Sequence, residues 1–232
     1  MKTVQDSEDF RSPRLTLADA ARLFVRYPSP RVLLPAAAVA AAVRVAAGGW
    51  SRRDAKVAAG LVALEPFVEW MIHVHVLHQR PRTVKGRTID SLLASKHRAH
   101  HRSPRDPELV FIPEQAIVPV VAGLAAANTL ALRSPRAALT GTAASLLLLS
   151  AYEWTHFLIH SSYSPKSALY KAVRRTHQLH HYRNENYWFG IITPVSDTVL
   201  HTNPAKDETP PSKTAKTLGI GDTTGVGAVP DN

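Results

Sequence analysis

Residues 137–160 read AALTGTAASLLLLSAYEWTHFLIH. From Ala137 to about Ile159 the run carries one charge, Glu153, and its length is near the roughly 20 residues that a helix needs to cross hydrocarbon. It closes on His156 and His160. Residues four apart share one face of a helix, so a single helix carries both an apolar span and a converging pair of imidazoles.

Three further apolar runs lie upstream. Val32–Trp50 begins VLLPAAAVAAAVRV, Val57 to about Val76 is interrupted by Glu65, Glu69 and histidines, and Ala116–Leu132 has no charge. Only Ser51–Lys56 joins the first two, and only Arg133–Arg136 joins the last two, which are helical-hairpin connections. The expected fold class is all-α: an integral-membrane four-helix transmembrane domain of two helical hairpins, with a histidine-rich helical cap on the cytoplasmic side. A soluble bundle with buried helices is the competing reading. The uncharged third run and the four leucines Leu146–Leu149 oppose it. Arg44 inside the first run requires a polar interior or a snorkelling path.

The organisation expected is a polar segment 1–31, a membrane domain 32–202 and a disordered tail 203–232. Thr16–Arg26 reads as an amphipathic surface helix with Thr16 and Asp19 as a capping pair. The tail has no aromatic residue and is rich in Thr, Pro, Gly and Ala. No short apolar region with a small-residue cleavage site follows the start. Four spans put both termini and segment 79–113 on one side. That side holds 22 of the 28 Lys and Arg, against 5 in the two tight loops, so it is expected to be cytoplasmic. The net charge of +10 then suits anionic lipid headgroups. Nucleic acid is not expected, because the Arg-rich stretch 80–105 lacks interleaved aromatics for base stacking. The absence of cysteine excludes disulfides, thiolate zinc sites, Cys-ligated iron–sulfur clusters and a Cys nucleophile.

There are 12 histidines. They form His73/His75/His78, His97/His100/His101, His156/His160 and His177/His180/His181, with His201 alone. The HxxHH pattern occurs twice, and positions i, i+3 and i+4 share a helix face. His73 and His78 diverge on a regular α-helix whereas His75 and His78 converge, so ideal geometry favours the latter pair unless a π-bulge realigns His73. Glu69-Trp70 and Glu153-Trp154 precede the first and third clusters. The chain thus repeats: a hairpin whose second helix ends in histidines, then a His triplet. So many imidazoles exceed the needs of one ion, and two equivalent halves suit two. No HExxH occurs and carboxylates near the clusters are few, which weighs against a catalytic zinc hydrolase. An all-His dinuclear site beside a membrane fits O₂ chemistry on an unactivated C–H bond.

These residues resemble the fatty acid hydroxylase and sterol desaturase superfamily of integral-membrane di-iron oxygenases, whose pattern is HxxxxH, HxxHH, HxxxH, HxxHH. Segments HRAHHRSPRDPELVFIP (97–113) and HHYRNENYWFG (180–190) are similar to its fatty acid 2-hydroxylase branch. The closing segment departs from that branch's Trp-Asp-x-x-Phe-Gly-Thr, keeping Asp197 and Thr202. The resemblance implies metal ligation by His73, His78, His97, His100, His101, His156, His160, His177, His180 and His181, which favours His73 over His75. It implies two iron ions (zinc being acceptable to the same ligands), hydroxylation of a lipid acyl chain, and electrons from a separate donor protein. Glu69, Glu153, Asn184 and Asp197 are candidates for orienting imidazoles through their second nitrogens. Hydroxylation or desaturation of a sterol or carotenoid is the alternative. Metal binding or transport without redox chemistry is the remote one, disfavoured because both HxxHH patterns lie outside the apolar runs.

Overall fold

A computed structural model describes residues 4–164 and 166–220. Two short helices open the chain, α1 (Val4–Arg11) and α2 (Leu17–Phe24). The capping pair forms as the sequence suggests: the Asp19 amide donates to Thr16 Oγ1 at 3.2 Å, and the Thr16 amide donates back to Asp19 Oδ2 at 3.3 Å. The apolar face of α2 is taken by protein. Ala20, Leu23 and Phe24 are buried, and Phe24 lies against Phe111, Trp154 and Phe157. The face expected to meet a membrane surface thus packs on protein at Ala20, Leu23 and Phe24, while Leu17 and Val25 stay exposed.

Four long helices follow in two hairpins: α3 (Pro28–Ala46), α4 (Arg52–Ile72), α7 (Glu114–Leu132) and α8 (Pro135–His160), with α5 (Leu92–Arg102) and α6 (Pro107–Val110) between the hairpins. Pro28 and Pro135 open α3 and α8 at the first helical turn, where proline's missing N–H has no intrahelical partner to lose. Helices ending at Ala46, Leu77 and Leu132 are long and apolar enough to cross a membrane. Helix α8 is as long but more polar, with Thr140, Thr142, Ser145, Ser150 and Glu153 along it. Its position explains the difference, because α8 packs against α3, α4 and α7 together. Its side chains meet protein, while α3, α4 and α7 turn apolar residues outward. Val39, Val62, Leu64, Met71, Val118 and Leu130 are all exposed, Leu130 at 76%. An apolar outer surface around a more polar axis is what a lipid solvent selects.

Arg44 takes the interior option. It is 2% exposed, its Nη2 lies 2.9 Å from Asp54 Oδ1, and its Nε donates to Thr140 Oγ1 at 2.6 Å. The α7–α8 contact depends on Gly141. A Cβ there would overlap Asn128 Oδ1 and come within 2.8 Å of Leu132 Cδ1.

The all-α expectation needs one amendment. Arg82–Val84 (β1) and Arg87–Ile89 (β2) form an antiparallel hairpin, closed by Lys85 and Gly86, both at positive φ, as a two-residue hairpin turn requires. Beyond α8 come α9 (Ala168–Tyr182) and α10 (Val195–Val199). Residues 203–220 are folded back onto the cap, with Thr209, Ala215 and Leu218 buried. The disordered-tail expectation is therefore corrected for 203–220, while 221–232 lie outside the described residues. Composition misled here because the segment is held through its backbone, which residue types do not report.

Candidate metal centre

Four helical ends deliver the histidines to one place. Helix α4 continues into a π-helical turn, His73–Leu77, in which the His78 amide donates to the His73 carbonyl at 3.1 Å. An i→i+5 bond brings residues five apart onto one face. The two rings lie 5.0 Å apart by centroid. His75 points elsewhere, exposed and edge-on to Trp70. The ideal-helix preference for His75 is thereby corrected, and the π-turn is the physical reason.

The ten histidines resolve into two groups of five, with the ligating nitrogens of each group within 4.8 Å of one another. The first holds His73, His78, His97, His101 and His180; the second holds His100, His156, His160, His177 and His181. The sequence repeat is visible in this partition, with one exchange. Helix α5 sends His97 and His101 to the first group and His100 to the second. Helix α9 sends His177 and His181 to the second and His180 to the first. The groups adjoin, with the rings of His101 and His181 only 4.2 Å apart. His201 stands outside both, exposed at positive φ just after α10.

The nitrogens face inward. His97 Nε2 lies 3.1 Å from His73 Nε2 and 3.2 Å from His101 Nε2, and His180 Nε2 lies 3.2 Å from His101 Nε2. In the second group His160 Nε2 is 3.1 Å from those of His100 and His156 and 2.9 Å from that of His177. Two nitrogens bound to one ion at roughly 2.1 Å and about 90° apart would themselves be about 3.0 Å apart. His78 Nε2 is buried with no hydrogen-bond partner, leaving a lone pair for a ligand. The residues fit a metal centre of two adjacent, all-nitrogen sites.

Tautomers are set from behind. Nδ1 of His73, His101, His156 and His180 each lies 2.8 Å from a backbone carbonyl, of Phe189, Ala215, Val110 and Tyr187 respectively. A carbonyl accepts only, so Nδ1 carries the proton and Nε2 presents its lone pair inward. Burial, the largest cause, holds His97, His100, His177, His180 and His181 well below the usual imidazole range, with neighbouring imidazoles adding to the effect. Burial brings His101 to about 3. These rings are neutral at ordinary pH, the form that binds metal.

The four polar residues expected to orient imidazoles directly act one step further out, each bonding to backbone outside the rings rather than to an imidazole. Asp197 accepts from the amides of Phe189 and Gly190 at 3.0 and 2.7 Å. Glu69 accepts from the amides of Ile191 and Ile192. Glu153 accepts from the Ile112 amide at 2.9 Å and from Ser29 Oγ at 2.7 Å. Asn184 donates to the Pro210 carbonyl at 3.1 Å and accepts from the Asn186 amide at 3.1 Å. The earlier reading is corrected for four of the rings: backbone carbonyls hold them, and the carboxylates hold backbone amides close to those carbonyls. The Glu-Trp pairs serve packing too. Trp70 Nε1 donates to Thr202 Oγ1 at 3.0 Å, and that hydroxyl donates to Asp197 Oδ1 at 2.6 Å. Gly190 is required in this loop, since a Cβ would overlap the Thr193 carbonyl. Carbonyl acceptors such as those of Val110 and Ala215 leave no trace in a motif, because every residue has a carbonyl.

A cleft of about 620 Å³ lies beside the centre, lined by Arg26, Tyr27, Arg31, Lys96, Phe111 and Ile112 among others. None of the ten histidines lines it. Its wall includes Leu109, Phe111 and Ile112, from the same segment whose Val110 carbonyl holds His156.

A family model described as fatty acid hydroxylase matches residues 58–202. The chain is similar to dihydroceramide fatty acyl 2-hydroxylase FAH1 of Arabidopsis thaliana, 29% identical over 139 residues, covering 60% of this chain and 56% of that protein. It is similar to fatty acid 2-hydroxylase of Rattus norvegicus, 31% identical over 136 residues, covering 58% of this chain and 36% of that protein. The matches thus span little more than half of these relatives at most. Among solved structures, the visible hydroxylase domain of full-length scs7p shares the fold, with a TM-score of 0.64 and 21% identity, covering 80% of this chain and 68% of that one.

Proposed function

The chain belongs to the fatty acid hydroxylase family, and from that premise we propose that it is a membrane oxygenase hydroxylating a lipid acyl chain with O₂ and two electrons from a separate donor protein. The observation that carries this is the division of ten histidines, most of them buried, into two groups of five with converging nitrogens. The first group would hold one iron and the second group the other. Iron bound there would supply the oxygen activation that oxidises an unactivated C–H bond.

The chain's own residues account for the rest. Helices α3, α4, α7 and α8 form the four spans, and the histidine-bearing ends, both termini and segment 79–113 lie on the cytoplasmic side. Support for this sidedness is the concentration of Lys and Arg there. The acyl chain enters from the bilayer between the spans. The headgroup rests in the cleft, where Arg26, Arg31 and Lys96 offer cations and Tyr27 and Phe111 offer apolar walls. His73, His101, His156 and His180 have carbonyl-fixed tautomers and so present Nε2 without reorganising, and burial of the cluster excludes water from the reacting centre.

The experiment is lipid profiling of a host with and without the gene, together with metal analysis of the purified chain. A new hydroxylated acyl chain labelled by ¹⁸O₂, and about two irons per chain, are the expected results. An altered sterol or carotenoid profile without hydroxylated acyl chains would overturn the substrate. Changed iron uptake with no lipid change would overturn the activity.

A further inference from the structure

The family match ends at residue 202, yet the chain continues across the metal centre. From Arg183 onward two backbone stretches run together. Trp188 donates its amide to the Thr202 carbonyl at 2.8 Å and its Nε1 to the Pro204 carbonyl at 3.2 Å. Arg183 Nε donates to the Thr209 carbonyl at 2.8 Å, and Asn184 Nδ2 to the Pro210 carbonyl at 3.1 Å. The Ser212 amide returns a bond to the Arg183 carbonyl at 2.6 Å, and the Thr214 hydroxyl donates to Glu185. The segment then reaches the histidines: His101 Nδ1 lies 2.8 Å from the Ala215 carbonyl. Beyond it Leu218 is buried.

His101 is central to the first group. Its Nε2 is 3.2 Å from the nitrogens of both His97 and His180, and its ring is the one nearest His181 of the second group. The other carbonyls that hold Nδ1 atoms come from Phe189, Val110 and Tyr187, all within the matched stretch. Among the described residues, the second group has no such bond to the segment beyond 202; its His156 is held by Val110.

We propose that residues 203–220 are a strap belonging to the metal centre, in which the Ala215 carbonyl positions His101 and so sets the metal affinity of the first group selectively. This rests on the reading that the two groups hold metal. A carbonyl accepting from Nδ1–H fixes the tautomer and raises the basicity of Nε2, and loss of such a bond typically costs 10–100-fold in metal affinity. The strap makes a ligand's support depend on a segment outside the matched stretch.

The test is titration of the metal-free full-length chain with Co²⁺, following ligand-field absorption and bound metal, against a chain ended after Ser212 and one ended after Ile220. The full chain and the one ended after Ile220 should each bind two ions alike. The chain ended after Ser212 should keep one site unchanged and lose affinity at the other by about 10–100-fold. Two unchanged sites, or two sites weakened equally, would overturn the strap while leaving the metal reading standing. So would weakening in the chain ended after Ile220. A full-length chain that binds no metal would overturn both. Should the shortened chain fail to fold, Thr214→Val in the full chain keeps the question open to decision, because it frees the strap from Glu185 without removing any residue. Faster release of one ion to a chelator is then expected, and unchanged release of both would refute the strap.

Discussion

His100 and His180 exchange places. Each is the middle histidine of its HxxHH pattern, and each joins the group built by the other half of the chain. On both α5 and α9 the i and i+4 rings serve one group while the i+3 ring serves the other.

Paired substitutions expose this exchange. His100→Ala with His156→Ala removes two nitrogens from one group, so metal titration should show one strongly weakened site and one unchanged. His97→Ala with His100→Ala, neighbours in one pattern, should weaken both sites moderately. The reverse assignment of the two curves would refute the partition. His75→Ala and His201→Ala, both outside the groups, should leave both sites unchanged.

Asp197 acts on the centre through a peptide. Its carboxylate holds the Phe189 and Gly190 amides, and the Phe189 carbonyl holds His73. Asp197→Ala leaves two buried amides unpaired, a cost of about 2–3 kcal/mol. Thermal unfolding should register that loss, and metal affinity of the first group should fall by about 10–100-fold. Asp197→Asn retains one acceptor oxygen and should lie between. Equal metal affinity in all three proteins would show that the loop does not position His73.

Acid should destabilise the metal-free chain. Burial holds the imidazoles of α5 and α9 below their ordinary value, His101 at about 3. In the unfolded chain the same groups take protons from about pH 6.5 downward. Below that pH the unfolded state binds more protons, so stability falls with pH. The loss reaches up to about 1.4 kcal/mol per pH unit for each such ring, and for His101 it continues to about pH 3. Melting temperatures in detergent should be flat with respect to these rings above about pH 6.5 and drop steeply below it. A melting curve indifferent to pH between 7 and 5 would refute neutral burial.

At the opposite end of the bundle, Arg44→Met should lower the melting temperature, because Asp54 would lose its ion-pair partner and keep only its bonds to Ser51 and Thr140. Adding Asp54→Asn should recover much of that loss in thermal unfolding. A single substitution as mild as the double one would mean that the pair is solvated.

Much of this protein is legible in its sequence. Apolar runs of spanning length, two short linkers and histidines at helical spacing are local properties, and a helix converts spacing into a face without help from elsewhere. The 137–160 run therefore announced both a long apolar helix and its terminal His156/His160 pair. Four features have their physical reason only in the tertiary structure. The π-turn that selects His73 over His75 depends on how α4 meets the cap. The exchange of His100 and His180 depends on how α5 and α9 approach each other. The polar character of α8 has its reason only once α3, α4 and α7 surround it. The carbonyls of Val110, Tyr187, Phe189 and Ala215 fix four tautomers, and a carbonyl has no letter of its own in a sequence. Side-chain identity is written residue by residue, whereas backbone position is the joint result of the whole fold.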